Sequence, residues 1–462
     1  MAYWGQALVL GPNINALMEP NEEPQARDLV QEALSLKGRA SGREQAYIEA
    51  LAQRYSGNAA DRTSRDRMYS EAMRAVHRRY PQDLDAAMLY VESVMDLRPW
   101  GYWQGDGTPH DGIAEVVALT EQVMARNARH PGALHMYIHL MEATPTPEKA
   151  ERAADTLLTL MPAAGHMVHM PGHIYQRVGR YADAMRSNEL AIAADVDYIT
   201  QCRAQGLYPM AYYPHNIHFL WFAATFAGKG GVAIAAAREL AAKIDDGALR
   251  ELPMLAGFQI VPYYALTRFG RWDDMLREPE PPAFNPALRA VWYYARGLSF
   301  VATSRLEAAD MELASLRMVL AERTKQPFFS PNSADAALAP APEVLAGEIA
   351  AARGNFDEAI ARLDRAVRLE DSLVYTEPAE FHFPPRHALG AVLLKAGRPA
   401  EAETVYWEDL RRNRENGWAL FGLLQALRAQ EKSYEASVVE ARFKKAWAGA
   451  DVTLSASRFG RE

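Results

Sequence analysis

Cysteine is all but missing. Cys202 is the single one in 462 residues, so no intramolecular disulfide and no thiolate metal cluster can form, which fits a reducing compartment. A basic excess is missing too. Fifty Lys and Arg face 58 Asp and Glu, a formal net charge of −8, and this argues against broad binding along a phosphate backbone. There is no long apolar run either: the most apolar stretch, Phe219 to Gly228, is about half of what a bilayer span needs. The chain opens MAYWGQALVLG, without a signal-like segment. A cytoplasmic protein with neither a membrane nor a nucleic-acid partner is the expectation. What is left is ordinary globular composition, 49% hydrophobic and 23% charged, which excludes a disordered chain, a collagen-like chain and a disulfide scaffold.

Length alone suggests about three domains, but internal repeats change that reading. Segments of the form Gly-x-aromatic followed by small residues recur, as in VGRYADAM (178–185), RGNFDEAI (353–360) and AGRPAEAE (396–403). A 34-residue frame starting at 131, 165, 214, 340, 383 and 417 aligns them. Its eighth position holds Gly172, Gly347 and Gly390; its fifteenth holds Gly179, Gly228, Gly354 and Gly397; its twentieth holds Ala150, Ala184, Ala233, Ala359, Ala402 and Ala436. Small residues at fixed offsets suit two antiparallel helices in close contact, and the fifteenth-position glycine suits the turn between them. Weaker copies lie near 84–130, 255–288 and 290–323, the last with Gly297 at the eighth position.

This pattern resembles the tetratricopeptide repeat, most closely at 340–373 and 165–198, and covers most of the chain. The family's proline at position 32 is mostly absent, Pro162 being the main exception. The resemblance implies an all-α fold, an α-solenoid (right-handed superhelix) of about nine or ten helix pairs. The expected division is 1–130 for divergent N-terminal repeats, 131–250 for central repeats and 251–462 for C-terminal repeats. With Gly5 taken as an eighth-position glycine, Met1 sits at position 4, so a piece of the first helix, and any export signal, is expected upstream. Loop-like inserts are expected at 97–112, 199–213 and 374–382. They carry aromatics that could roof a pocket: Trp100, Tyr102, Trp103, Tyr208, Tyr212, Tyr213, Tyr375 and Phe381.

The histidines are clustered. Seven of the twelve fall between 135 and 218, where even spreading would put about two. In the frame, His135 and His139 occupy positions 5 and 9, with Glu142 at 12; His166, His169 and His173 occupy 2, 5 and 9; His215 and His218 occupy 2 and 5. His387 shares position 5 further along. Spacings of three and four put such residues on one helical face. In the family, positions 2, 5, 9 and 12 of the first helix line the concave surface, and side chains from successive repeats converge on one ligand. The resemblance therefore implies a shared His-lined wall. Packed helices lie about 8–10 Å apart, so imidazoles from neighbours can meet at one ion.

A lone histidine on an apolar face is usually a core residue. Seven on one face favour a transition metal instead, since neutral imidazole is the ligand form and an unmetallated cluster is costly to protonate. Zn, Fe, Cu or Ni all suit histidine with a carboxylate. His139, His169 and His173 are the preferred ligands, followed by His135, His166, His215 and His218; Glu142 would be a ligand, an acid/base group or an orienting partner. Trp100, Trp103, Tyr212, Tyr213 and His387 are the candidates for substrate or partner contact. HExxH is absent, AGKGG (227–231) lacks phosphate-loop spacing, and Cys202 has no activating neighbour in sequence. The arginine run from 62 to 79 reads as a solvated helix face. Three functions stay open: a metal-dependent hydrolase or oxidase acting on a small molecule, a scaffold holding a peptide or partner protein in its groove, and metal storage or sensing.

Overall fold

The computed structural model describes the chain except for residues 17, 20, 57–60, 205, 207, 323–331, 382 and 461–462. Positions 205, 207 and 382 belong to the expected inserts and lie outside the described residues. Among the described residues β structure is confined to isolated bridge positions, such as Asn13 with Ala16 and Trp103 with Pro109. The fold is an all-α solenoid of antiparallel helix hairpins. No helix among the described residues is long and apolar enough to cross a membrane.

Two compact units divide the chain, Met1–Met161 and Pro162–Glu462. The first contains the hairpins Ala2–Val9 with Glu22–Ser35, Gly42–Arg54 with Arg62–Arg79, Leu84–Met95 with Ile113–Arg126, and Pro131–Glu142 with Glu151–Leu157. The second begins with Gly165–His169 and Pro171–Val178 against Tyr181–Cys202, then Tyr213–Phe226 with Gly230–Ala242, and Val261–Arg268 with Trp272–Arg277. It continues through Pro286–Ala302 with Leu306–Ala321, Pro340–Ala352 with Phe356–Asp371, Pro385–Lys395 with Pro399–Arg412, and Gly417–Ala429 with Ser433–Ala446.

The repeat residues explain the pairing. All six twentieth-position alanines are buried. The four fifteenth-position glycines turn the chain between helices with φ of 67° to 84°, a region open to glycine without steric cost. Eighth-position glycines mark where the partner helix comes closest. A Cβ on Gly347 would lie 2.7 Å from Leu363 Cγ, and one on Gly390 2.4 Å from Tyr406 Cζ. Tyr406 is fully buried, with Gly422 on its other side at 2.2 Å by the same measure. The ring fills the space that two absent side chains leave.

Two expectations need correction. The arginine run is not simply solvated. Arg65 is buried and pairs with Glu23 at 2.6 Å, while Arg62 joins Glu23 at 3.5 Å and Asp66 at 3.2 Å. These arginines lie on the side of their helix that meets acidic side chains, which hydropathy alone does not reveal. The insert at 199–213 is not all loop: residues 199–202 form the last turn of the Tyr181–Cys202 helix, and Tyr208–Tyr212 form a π-helical turn leading into the next helix. Cys202 is exposed at that helix end.

Close approach and turn geometry make different demands. Gly390→Ala should cost about 1–3 kcal/mol through overpacking against Tyr406. Gly354→Asn, at a positive-φ turn with open space around it, should cost a few tenths, since Asn tolerates that backbone region. Urea unfolding midpoints compare the two; equal losses would refute the steric account.

Candidate metal centre

In the second unit, Pro171 interrupts the helix that carries three of the histidines. It has no N–H to give, and the backbone tightens there, with His173 N bonding to Met170 O at 3.2 Å. The helical rise survives the break, so His169 and His173 remain four residues apart on one face. Their Nε2 atoms are 2.9 Å apart. His215, from the first turn of Tyr213–Phe226, brings its ring centroid to 4.8 Å from that of His169 and 6.0 Å from that of His173. One ligand nitrogen from each of the three can be chosen so that all lie within 4.8 Å of one another. Phe219, one turn along from His215, sets its ring at 5.1 Å and 4.8 Å from the two buried imidazoles.

The protonation of this cluster follows from its neighbours. Asn188 Nδ2 donates to Ala184 O at 2.8 Å, which leaves Oδ1 as the acceptor facing His169 Nδ1 at 2.7 Å. His169 therefore carries its hydrogen on Nδ1 and a lone pair on Nε2. Glu377, whose side chain is 4% exposed, brings a carboxylate oxygen to 3.1 Å from His173 Nδ1, at ion-pair distance but outside hydrogen-bond geometry, so it adds negative charge beside the ring without fixing its tautomer. The bare Nε2 of His169 thus faces the Nε2 of His173 at 2.9 Å. Protonation of His169 is disfavoured, because burial, followed by the nearby His173, His215 and His166, holds it well below the usual imidazole range. A cation with vacant coordination positions suits this arrangement, and hydrogen-bonded Nδ1 atoms are the usual support of histidine ligands.

A second layer holds these parts. Gly172 leaves room for Asn188: a Cβ there would fall 2.8 Å from Asn188 Nδ2. A Cβ on Gly165 would lie 1.8 Å from Asp195 Oδ1. Asp195 is buried and accepts from Tyr208 at 2.6 Å and Asn216 at 2.7 Å. Burial raises its pKa, and those two hydrogen bonds oppose the rise. Asp195 thereby ties the π-helical turn and the His215 helix to Tyr181–Cys202.

The first unit repeats the motif. His135 and His139 bring their Nε2 atoms to 3.1 Å, and the buried carboxylate of Glu142 holds His139 Nδ1 at 3.1 Å. Trp100, with a left-handed backbone at φ 63°, sets its ring edge-on at 5.2 Å from His139.

The other candidates are placed differently. His166 packs against Tyr212, with ring centroids at 5.3 Å and 6.0 Å from that of His169. His218 stacks on Trp221 at 5.2 Å with Phe258 edge-on; its ring belongs to an aromatic cage. His387 is fully buried with both ring nitrogens engaged, Nδ1 accepting from Arg268 at 2.9 Å and Nε2 donating to Asp409 at 2.9 Å. Trp103 donates to Leu140 O at 2.7 Å, anchoring its loop to the helix that bears His139. Tyr213 lies against Glu239 and Lys243. Glu377, Asn188 and Asp195 escape sequence reasoning. Glu377 sits within the 374–382 insert, but no spacing rule ties that insert to His173.

No family model matches the chain, and no curated protein matches it significantly. Solved structures similar to it include a human IFIT1 dimer with m7Gppp-AAAA, at 10% identity over 92% of this chain and 86% of that one, TM-score 0.38. A Rap protein complexed with Competence and Sporulation Factor matches at 11% identity over 96% of each chain, TM-score 0.37. A tetratricopeptide repeat protein from Parabacteroides merdae matches at 15% identity over 60% of this chain and 93% of that one, TM-score 0.31.

The aromatic cage has a measurable consequence. Burial pushes His218 down to about 3, against about 6.5 in the unfolded chain. Between these values the unfolded state binds the extra proton, so folded-state stability falls as pH drops from about 6.5 towards 3. His218→Phe should flatten this part of the stability profile. Denaturation midpoints between pH 4 and 8 that keep the wild-type slope in the variant would rule the account out.

Proposed function

We propose that the second unit binds a transition-metal ion through His169, His173 and His215. The observation that carries this reading is the convergence of three imidazoles whose ligand nitrogens lie within 4.8 Å of one another, with the Nε2 atoms of His169 and His173 2.9 Å apart and the His169 tautomer set by Asn188. Two nitrogens about 2.0–2.1 Å from a shared ion subtend an angle near 90° at this separation and open slightly for tetrahedral coordination. Three imidazoles with a supporting carboxylate suit Zn, Fe, Ni or Cu. Three protein ligands leave a position for water or substrate, as in catalytic rather than structural zinc sites. The ion would then act as a Lewis acid or redox centre on a small molecule, which makes a metal-dependent hydrolase or oxidase the preferred class. In the first unit, His135 and His139 offer a two-nitrogen chelate of the same design, and Glu142 serves it by orienting His139.

Elemental analysis of the purified, untagged protein tests the proposal. About one equivalent of metal or more is expected after incubation with Zn, Fe, Cu and Ni in turn, with His169→Ala/His173→Ala losing the tighter-bound equivalent while keeping its helical circular dichroism. Asn188→Ala keeps all three ligands but frees the His169 tautomer, so affinity should fall about 10–100-fold. Absence of stoichiometric metal in the folded wild type under all four conditions would overturn the reading and leave a protein-binding scaffold.

A further inference from the structure

Residues 451–460 follow the last repeat helix and form no helix of their own. They run over the second unit and are held largely by side chains, in the manner of a bound peptide. Asp451 accepts from Gly230 N at 2.6 Å and Gly231 N at 2.9 Å, the amides that open the thirteen-residue Gly230–Ala242 helix. The glycines of AGKGG thus receive a carboxylate from the same chain. Ser457 is fully buried; its hydroxyl donates to His387 O at 2.7 Å and meets Tyr406 Oη at 2.8 Å. Arg458 and Glu348 form an ion pair at 2.6 Å, with side chains 6% and 8% exposed. Phe459 lies edge-on to Trp418 at 5.7 Å. Beneath this segment is a small cavity, lined by Tyr264, Tyr294 and Glu348 on the repeats and roofed by Arg458 and Phe459.

These contacts are specific in chemistry as well as in shape. Burial raises the Glu348 carboxyl pKa, and Arg458 is the first opposing cause. With the groove empty, the buried Glu348 carboxylate loses its nearest counter-charge and keeps only the smaller influence of Lys395, so the groove selects a cationic side chain. The neighbouring hydroxyl pocket selects a small residue before it, and Trp418 selects an aromatic after it. We propose that this groove is a recognition site for a serine–arginine–phenylalanine peptide segment, filled by the chain's own residues 451–460 until a partner protein presenting the same pattern displaces them. The proposal is independent of the metal centre.

The test uses a labelled peptide copying residues 451–460, followed by fluorescence anisotropy. The wild-type chain, with its groove filled, should take up little of it. A chain ending at Ala450 should bind it, and a peptide carrying Arg458→Ala should bind about 30-fold more weakly or worse, as expected on removing one partner of a buried charge pair. Since the shortened chain could lose its fold, full-length Arg458→Ala provides the second arm: its weakened tail should admit the wild-type peptide. If either variant is folded by circular dichroism and the folded variants do not bind, the segment is a brace and not a ligand. If both variants unfold, the segment is inseparable from the fold and the proposal fails equally.

Discussion

Close approach between paired helices is the constraint from which the rest of this structure follows. Alanine at each twentieth position and glycine at several eighth positions let backbones meet where larger side chains would hold them apart. This contact fixes the rotation of each first helix. Rotation decides which positions lie deep between neighbouring repeats and which stay at the rim. Positions 5 and 9 of the helix bearing His169 and His173 are buried for this reason, and position 2 of the next first helix brings His215 beside them. Chemistry here is a by-product of packing geometry: a residue placed at the right offset is delivered to the right place.

The imidazoles illustrate how neutral groups can create a site for charge. In the first unit Glu142 commits Nδ1 of His139, and in the second, where Glu377 stands at ion-pair distance from His173, Asn188 commits Nδ1 of His169. Such hydrogen bonds do more than orient rings. They decide which nitrogen is bare, and a bare nitrogen at contact distance from a second ring nitrogen calls for either a hydrogen or a metal ion between the two. Desolvation raises the cost of using a proton for this purpose.

Much of this was legible in the sequence because repeats convert position into geometry. The 34-residue spacing of His135 with His169, and of His139 with His173, puts both pairs at the same repeat positions, and within each unit the two Nε2 atoms come to 3.1 Å and 2.9 Å. The helix pairing was legible for the same reason, from Gly347, Gly390 and the buried alanines. What was not legible lies outside the repeat. Glu377 belongs to an insert whose path no periodicity describes. Asn188 sits on a second helix, where an asparagine reads as an ordinary polar residue until Gly172 is seen to make room for it. Arg65 was misread because an arginine's burial depends on whether an acid faces it. His387 and His169 share a repeat position yet differ in surroundings: His387 faces Arg268 and Asp409, so the offset alone does not define the role.

The His173–Glu377 contact joins residues 204 positions apart. A ribosome adds about 5–20 residues per second, so the imidazoles emerge some 10–40 s before the carboxylate that comes to stand beside one of them. On the metal-binding reading proposed above, the nascent chain displays the histidines during that interval before their surroundings are complete. Loading would then belong after synthesis of the later hairpins, with early capture of a competing ion as the hazard of this chain order.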